Sequence, residues 1–242
     1  MGSRDLPAPA RALAIGAHPD DVEFGCGGTL AKWAAAGCAI SHLICTDGSK
    51  GSWDPEDDLA TLVASRQVEQ RAASVALGGT GDVVFLGWRD GELESGLRQR
   101  ADVCFWIRRL KPDVVLGHDP WKRYRLHPDH HHAGQLAVEG IVAARDPHFF
   151  PEQGEAPHRP SHLLLWEADE YDHVEDIGAG LDAKLAALLE HRSQYRTTMD
   201  IDDPSSAEQA ERFRDKIRRR HAEAGEADGI AYAERFKLIS KL

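Results

Sequence analysis

The chain has 242 residues, of which 42% are hydrophobic and 29% charged, and its formal net charge is −11. That length suits one large α/β domain with a well-buried core, and the acidic balance argues against general binding to nucleic acid or acidic membranes, both of which need excess Lys and Arg. No apolar run approaches the roughly 18 residues that span a bilayer, and no signal-peptide core opens the chain, so the expectation is a soluble, cytoplasmic protein with no membrane anchor.

ALAIGA at 12–17 predicts a buried strand, and GTLAKWAAAG at 28–37 a helix stopped by glycine. AISHLICTD at 39–47 predicts the next strand, and the amphipathic stretch 56–79 the next helix. DVVFLGW (82–88), the helix LRQRADVCFWIRRLKP (97–112), DVVLGHD (113–119) and SHLLLWEA (161–168) continue the alternation. Segment 144–162, rich in Pro, His and Phe, reads as an insertion or lid-like loop, and 199–211 as a second loop before a final helix. The basic run RFRDKIRRRH at 212–221 reads as a solvated helix face. Cys26, Cys38, Cys45 and Cys104 form no CxxC pair and read as small core residues in a reducing compartment. Strand–helix repetition predicts a parallel sheet covered on both faces, and with no repeat or composition break the whole of 1–242 reads as one domain.

In such sheets ligands bind beyond the carboxyl ends of the strands, where four polar clusters fall: HPDD, TDGSKGS, WRDGE and HDPWKRYRLHPDHHH. Adjacent carboxylates at Asp20 and Asp21 repel unless a cation sits between them or one is neutralised. His18 and Asp21, three apart in a tight turn, can bind one ion from a single loop, and HPDHHH at 127–132 offers further imidazoles and Asp129. Two imidazoles and one carboxylate leave a coordination position open, the pattern of a catalytic zinc. Asp20, beside a ligand but aimed elsewhere, then serves as general base toward a metal-activated water.

Two other readings compete. His18-Pro19-Asp20 with a distant histidine also satisfies the facial triad of a non-haem Fe(II) oxygenase, which needs Asp20 on the metal. FGCGG at 24–28 could serve a non-catalytic nucleotide binder as a phosphate loop, although its spacing departs from GxGxxG.

AHPDDVEFGCGGTLAKWAAAG, TDGSKGS, RQVEQRAASVALG, FLGWRDGEL and HPDHHHAGQLA resemble the motifs of the LmbE-like / PIG-L family of zinc-dependent N-acetylglucosaminyl deacetylases. HVEDIGAGLDAKLAALLEHRSQY and GIAYAERF resemble stretches of its bacterial members, so the likeness covers nearly the whole chain. The resemblance implies a Rossmann-like three-layer α/β fold with a mainly parallel sheet and the active site at the C-terminal strand ends. It implies His18, Asp21 and His130 as zinc ligands (with Fe2+ the alternative in the cell) and Asp20 as general base. His127 would stabilise the oxyanion and help protonate the leaving amine, and Asp129 would orient His127. Arg66 and Asp90 fall where the family binds sugar hydroxyls, while their ordinary readings are a helix partner for Glu69 and an Asp-Gly turn. His131 and His132 read as facing a helix neighbour or solvent. Arg125, preceded by Tyr124, stands where some sugar deacetylases of the family have tyrosine, which hints at a substrate with an anionic group. The implied activity is removal of an N-acetyl group from an amino sugar or glycoside, or hydrolysis of another sugar-linked amide, with a small-molecule substrate and a homo-oligomer left open.

Overall fold

The computed structural model describes residues 3–242. Its single sheet has eight strands: β1 (Ser3–Arg4), β2 (Arg11–Gly16), β3 (Ala39–Thr46), β4 (Val83–Trp88), β5 (Val114–His118), β6 (His162–Trp166), β7 (His173–Asp176) and β8 (Ala233–Ile239). Spatially they run β1-β7-β8-β6-β5-β2-β3-β4. The stretch β6-β5-β2-β3-β4 is parallel, and β8 pairs antiparallel with both β6 and β7. The sheet is thus mainly parallel and covered by helices, as the strand–helix alternation predicts.

The helices are α1 (Asp21–Ala35), α2 (Leu59–Ala76), α3 (Leu97–Leu110), α4 (Pro128–Arg145), α5 (Leu181–Glu190), the short α6 (Tyr195–Thr198) and α7 (Ala207–Gly225). Side chains alternate across a strand, and in β2 the alternation divides two cores. Leu13 and Ile15 pack with Val103 and Ile107 of α3 and Leu136 of α4. Ala12 and Ala14 face the other way, toward Leu30 and Trp33 of α1 and Leu77 just after α2. A smaller core joins α5 to Phe213 and Ile217 of α7. The basic run lies on α7 as expected, with Arg212 and Arg218 paired to Glu208 and Glu211 of the same helix at 2.6 Å each.

Helix α1 begins seven residues earlier than the apolar pattern predicts, directly at Asp21. It is kinked at Cys26, whose φ of −146° is not helical. Beyond the kink the amides of Gly28 and Thr29 donate to Glu234 of β8 at 3.0 and 2.9 Å. FGCGG is therefore no phosphate loop, because those amides are committed. Its glycines serve close packing: a Cβ on Gly25 would lie 2.6 Å from the Trp166 ring, and one on Gly28 would lie 2.8 Å from Ile177.

Segment 144–162 is not a lid. Arg108, buried at the end of α3, donates to the carbonyls of Ala143, Asp146 and Phe149, and His158 reaches Pro112 O at 2.7 Å. Pro112 precedes β5, so the segment lies at the amino ends of the strands, across the sheet from the clusters above.

In the chain β2 is followed by β3 on one side, and β5 returns on the other. The loops after β2 and β5 therefore diverge to opposite faces and leave a crevice at their carboxyl ends.

Candidate active site

His18 ends the turn after β2, almost wholly buried. Its backbone N–H donates to Asp21 Oδ2 at 2.7 Å, and its ring nitrogens lie 3.3 Å (Nδ1) from Asp21 Oδ2 and 3.1 Å (Nε2) from Asp129 Oδ2. Asp90 Oδ1 is also 3.2 Å from Nε2. An Nε2–H shared with these carboxylates leaves the Nδ1 lone pair toward Asp21, the arrangement in which an outer carboxylate sets the tautomer of a ligating imidazole. From the β5 side, α4 starts with Pro128 at its first position, which suits a helix start. One turn in, His130 Nε2 comes 3.2 Å from Asp21 Oδ1.

His18, Asp21 and His130 each offer a ligand atom within 4.8 Å of the others, so these three residues form a group able to hold a metal ion. Asp21 is largely buried at the floor of the cleft. Burial alone would raise its pKa, but His130 and His118 hold it well below the usual carboxylate range.

Asp20 is built differently. Its φ of +103° is rare for a residue with a side chain, and such strain costs of order 1–3 kcal/mol. Two residues one helical turn apart on α2 hold it there. Gln70 Oε1 accepts the Asp20 N–H at 2.9 Å, and Arg66 donates to Pro19 O at 2.6 Å and Gly48 O at 2.8 Å. Behind them Gln70 Nε2 donates to Glu23 at 2.7 Å, and Glu23 meets His191 at 3.1 Å. Burial pushes the Asp20 carboxyl up to about 6, opposed by the Arg66 guanidinium and helped by Asp21. Asp20 belongs to none of the metal-competent groups, and the facial-triad reading, which needs it there, gains no support.

His127 caps α4 and is exposed at the lip of the cleft, its ring 4.6 Å from that of His18 and stacked 4.8 Å from that of His130. Asp129, expected to orient His127, spends its hydrogen bonds on His18 and on the amides of Gly91 (2.7 Å) and Leu93 (3.3 Å). Its position steadies the metal side of the site and the β4 loop. His131 and His132 turn away, to Pro120 O and Ser95. The other predicted residues converge: His18, Asp20, Asp21, Arg66, Asp90, His127 and His130 all line one cleft of about 530 Å³.

Sequence reasoning missed His118 and Glu167, the last residue of β5 and the first after β6. His118 Nδ1 accepts from Trp166 Nε1 at 3.0 Å, which leaves Nε2 facing Asp21 Oδ2 at 3.2 Å. Glu167 takes Arg125 at 2.7 Å, and the positive charge beside it lowers its carboxyl pKa. Arg125 is thus committed to Glu167 and Asp119 O, which removes the hint of an anionic substrate. Both misses sit at strand carboxyl ends, where the crevice rule points.

A mainly parallel sheet, a crevice at its reversal point and a histidine–carboxylate cluster able to hold a metal ion define an α/β protein with a candidate metal centre at its strand ends. Residues 13–141 match the PIG-L family, described as GlcNAc-PI de-N-acetylase, and the chain belongs to this family of N-deacetylases. It is 34% identical to the diacetylchitobiose deacetylase of Thermococcus kodakarensis over 76% of this chain and 70% of that one. To the 1D-myo-inositol 2-acetamido-2-deoxy-alpha-D-glucopyranoside deacetylase of Streptomyces avermitilis it is 33% identical over 62% of this chain, and it spans 59% of that protein's length. Its fold superposes on N,N'-diacetylchitobiose deacetylase from Pyrococcus horikoshii with a TM-score of 0.85 at 30% identity, covering 98% of this chain and 87% of the other.

Proposed function

We propose that this chain is a zinc-dependent N-deacetylase that hydrolyses the acetamide of an N-acetylglucosamine-type amino sugar. The observation that carries the reading is the divergence of two adjacent aspartates: Asp21 faces His18, His118 and His130, while Asp20 is turned out of that group and held by α2. The named relatives act on different molecules that share a 2-acetamido-2-deoxy sugar. Four buried free cysteines support a reducing, cytoplasmic setting, and among the described residues no helix is long and apolar enough to cross a membrane.

The donor set of two imidazoles and one carboxylate fits zinc with a position left for substrate or water. A zinc ion held by His18, Asp21 and His130 would supply Lewis acidity toward the amide carbonyl and the attacking water. Asp20, fixed by Gln70 and Arg66, accepts the proton of that water as it adds to the carbonyl carbon. His127, at the lip, donates a hydrogen bond to the developing oxyanion and carries a proton to the departing nitrogen, so that the C–N bond breaks to acetate and a free amine. Asp129 and Asp90 orient His18. Arg66 and Asp90 also line the cleft where sugar hydroxyls would lie.

Incubation with N,N'-diacetylchitobiose is expected to release acetate and primary amine in equal amounts, to stop on chelation and to resume on adding zinc. Zinc-loaded protein that releases amine neither from this sugar nor from N-acetylglucosaminyl-inositol overturns the reading.

A further inference from the structure

Trp53 is the most exposed of the six tryptophans, at 81%, and it lies in the loop between β3 and α2. A lone exposed indole on a convex surface needs no account. Trp53 instead stands on a concave one, lining the cleft that holds His18 and Asp20 together with Gln194 and Thr197. On its far side a second cavity of about 440 Å³ begins, with Trp53 and Thr197 as shared walls. Two hollows thus adjoin at the indole and make up a groove, the first holding the metal-competent cluster and the second lined by Ser52, Asp54 and Arg196.

The backbone that carries the indole is tied down on both sides. Gln194 Nε2 and Thr197 Oγ1 donate to Gly51 O at 3.2 and 3.4 Å, and Asp54 N–H donates to Ser52 Oγ at 3.1 Å, so the chain is tied on both sides of Trp53. Among the described residues Trp53 makes no side-chain hydrogen bond and stacks on no other ring, and Arg196 forms no ion pair. An exposed apolar face flanked by hydroxyl, carboxylate and unpaired guanidinium suits a pyranose. The C–H groups of one sugar face lie against the indole, while equatorial hydroxyls and acetamides reach the polar wall.

Resting on the deacetylase reading, we infer that this groove is an oligosaccharide subsite: Trp53 stacks a sugar ring beyond the one being deacetylated, and the second cavity receives the next. The preferred substrate is then a linear N-acetylglucosamine oligosaccharide longer than the reacting unit.

The test compares kcat/KM for triacetylchitotriose and N-acetylglucosamine, with a parallel calorimetric titration of triacetylchitotriose into the protein. The trisaccharide-to-monosaccharide ratio should fall about tenfold in Trp53→Ala, the size of one aromatic stacking contact, and recover in Trp53→Phe. The Kd for the trisaccharide should weaken by a similar factor. Acetate release with a ratio that Trp53→Ala leaves intact overturns the groove and spares the deacetylase. Trisaccharide binding that depends on Trp53, with no acetate released from any sugar, overturns the deacetylase and spares the groove. A wild-type protein that binds the trisaccharide no better than the monosaccharide overturns the groove outright.

Discussion

Helix α1 starts against one buried carboxylate and restarts, past its kink, against another. Asp21 at its first position receives the His18 amide and faces the ring nitrogens of three histidines at 3.2–3.3 Å. Glu234, behind the kink, takes the amides of Gly28 and Thr29, the Thr29 hydroxyl at 2.6 Å and the Lys184 ammonium at 2.6 Å. The donors around Glu234 are committed: two backbone amides and an ammonium have no lone pair to offer a metal, and the Thr29 hydroxyl is spent on Oε2. They fill the carboxylate and make it an anchor joining α1, α5 and β8. An imidazole offers either a proton or a lone pair, so the surroundings of Asp21 can exchange protons for a metal. Two carboxylates that meet the two halves of α1, Asp21 at its start and Glu234 reaching it from β8, thus part company through the type of donor around them.

The largest effects should come from breaking the first cluster. Asp21→Ala and His130→Ala are expected to lose the metal and activity together. Asp20→Asn should keep the metal and lose about 10²–10⁴ in kcat, the range of general-base catalysis, as metal analysis and single-turnover rates would show. Metal lost from Asp20→Asn but kept by Asp21→Ala would reverse the assignment of the two aspartates.

The second cluster should answer in stability instead. Lys184→Met strands the Glu234 charge in the core and should cost about 3–5 kcal/mol in denaturant unfolding, with Lys184→Met/Glu234→Gln recovering much of the loss. A loss under 1 kcal/mol would show that water reaches the pair.

A smaller effect sharpens the contrast from α2. Gln70→Leu frees the Asp20 amide, and because an ångström of misplacement can cost about 10² in rate, kcat should fall toward that limit while KM and metal content hold. Equal loss in kcat and metal content would mean that Gln70 supports the ligands and not the base.

The smallest effect is a slope. His221 of α7 feels the charges of the paired Lys184 of α5 and Glu234 of β8 and of Arg220 beside it on its own helix, and it hydrogen-bonds Ala233 O at 2.9 Å. Burial first, and then the Lys184 charge, lower its pKa from 6.5 to about 3. The fold therefore favours neutral His221. That stabilisation is complete above pH 6.5 and is lost as pH falls from there toward 3, at up to about 1.4 kcal/mol per pH unit. His221→Gln should remove this part of the acid slope, and unfolding free energies at pH 6.5 and 5 that fall equally in both proteins would contradict it.

Much of this was legible along the chain. The five adjoining parallel strands β6-β5-β2-β3-β4 were, because strands in the body of such a sheet are continuous apolar runs bounded by polar residues. The short parallel pair β1 and β7 was not. β8 was not, because AERFKLI carries charges at Glu234, Arg235 and Lys237, and burial of Glu234 makes sense only beside Lys184 and Thr29. The start of α1 was missed because its first turn is acidic and its second is glycine-rich. In the site, residues of the two HPD motifs could be found (His18, Asp20, Asp21, His130), whereas His118, the last residue of β5, and Glu167, the first after β6, lie outside those motifs.

By itself the sequence determined the alternation that makes a parallel sheet, the residue types able to hold a cation, and their place at strand ends, since periodicity and spacing are local properties. The tertiary structure alone decided which aspartate meets the imidazoles, that Asp129 serves His18, that Arg125 is spent on Glu167, and that Trp53 borders a groove. Each of these depends on distances between loops far apart in the chain. Those distances are set by strand order and by how α1, α2 and α4 pack around β2 and β5.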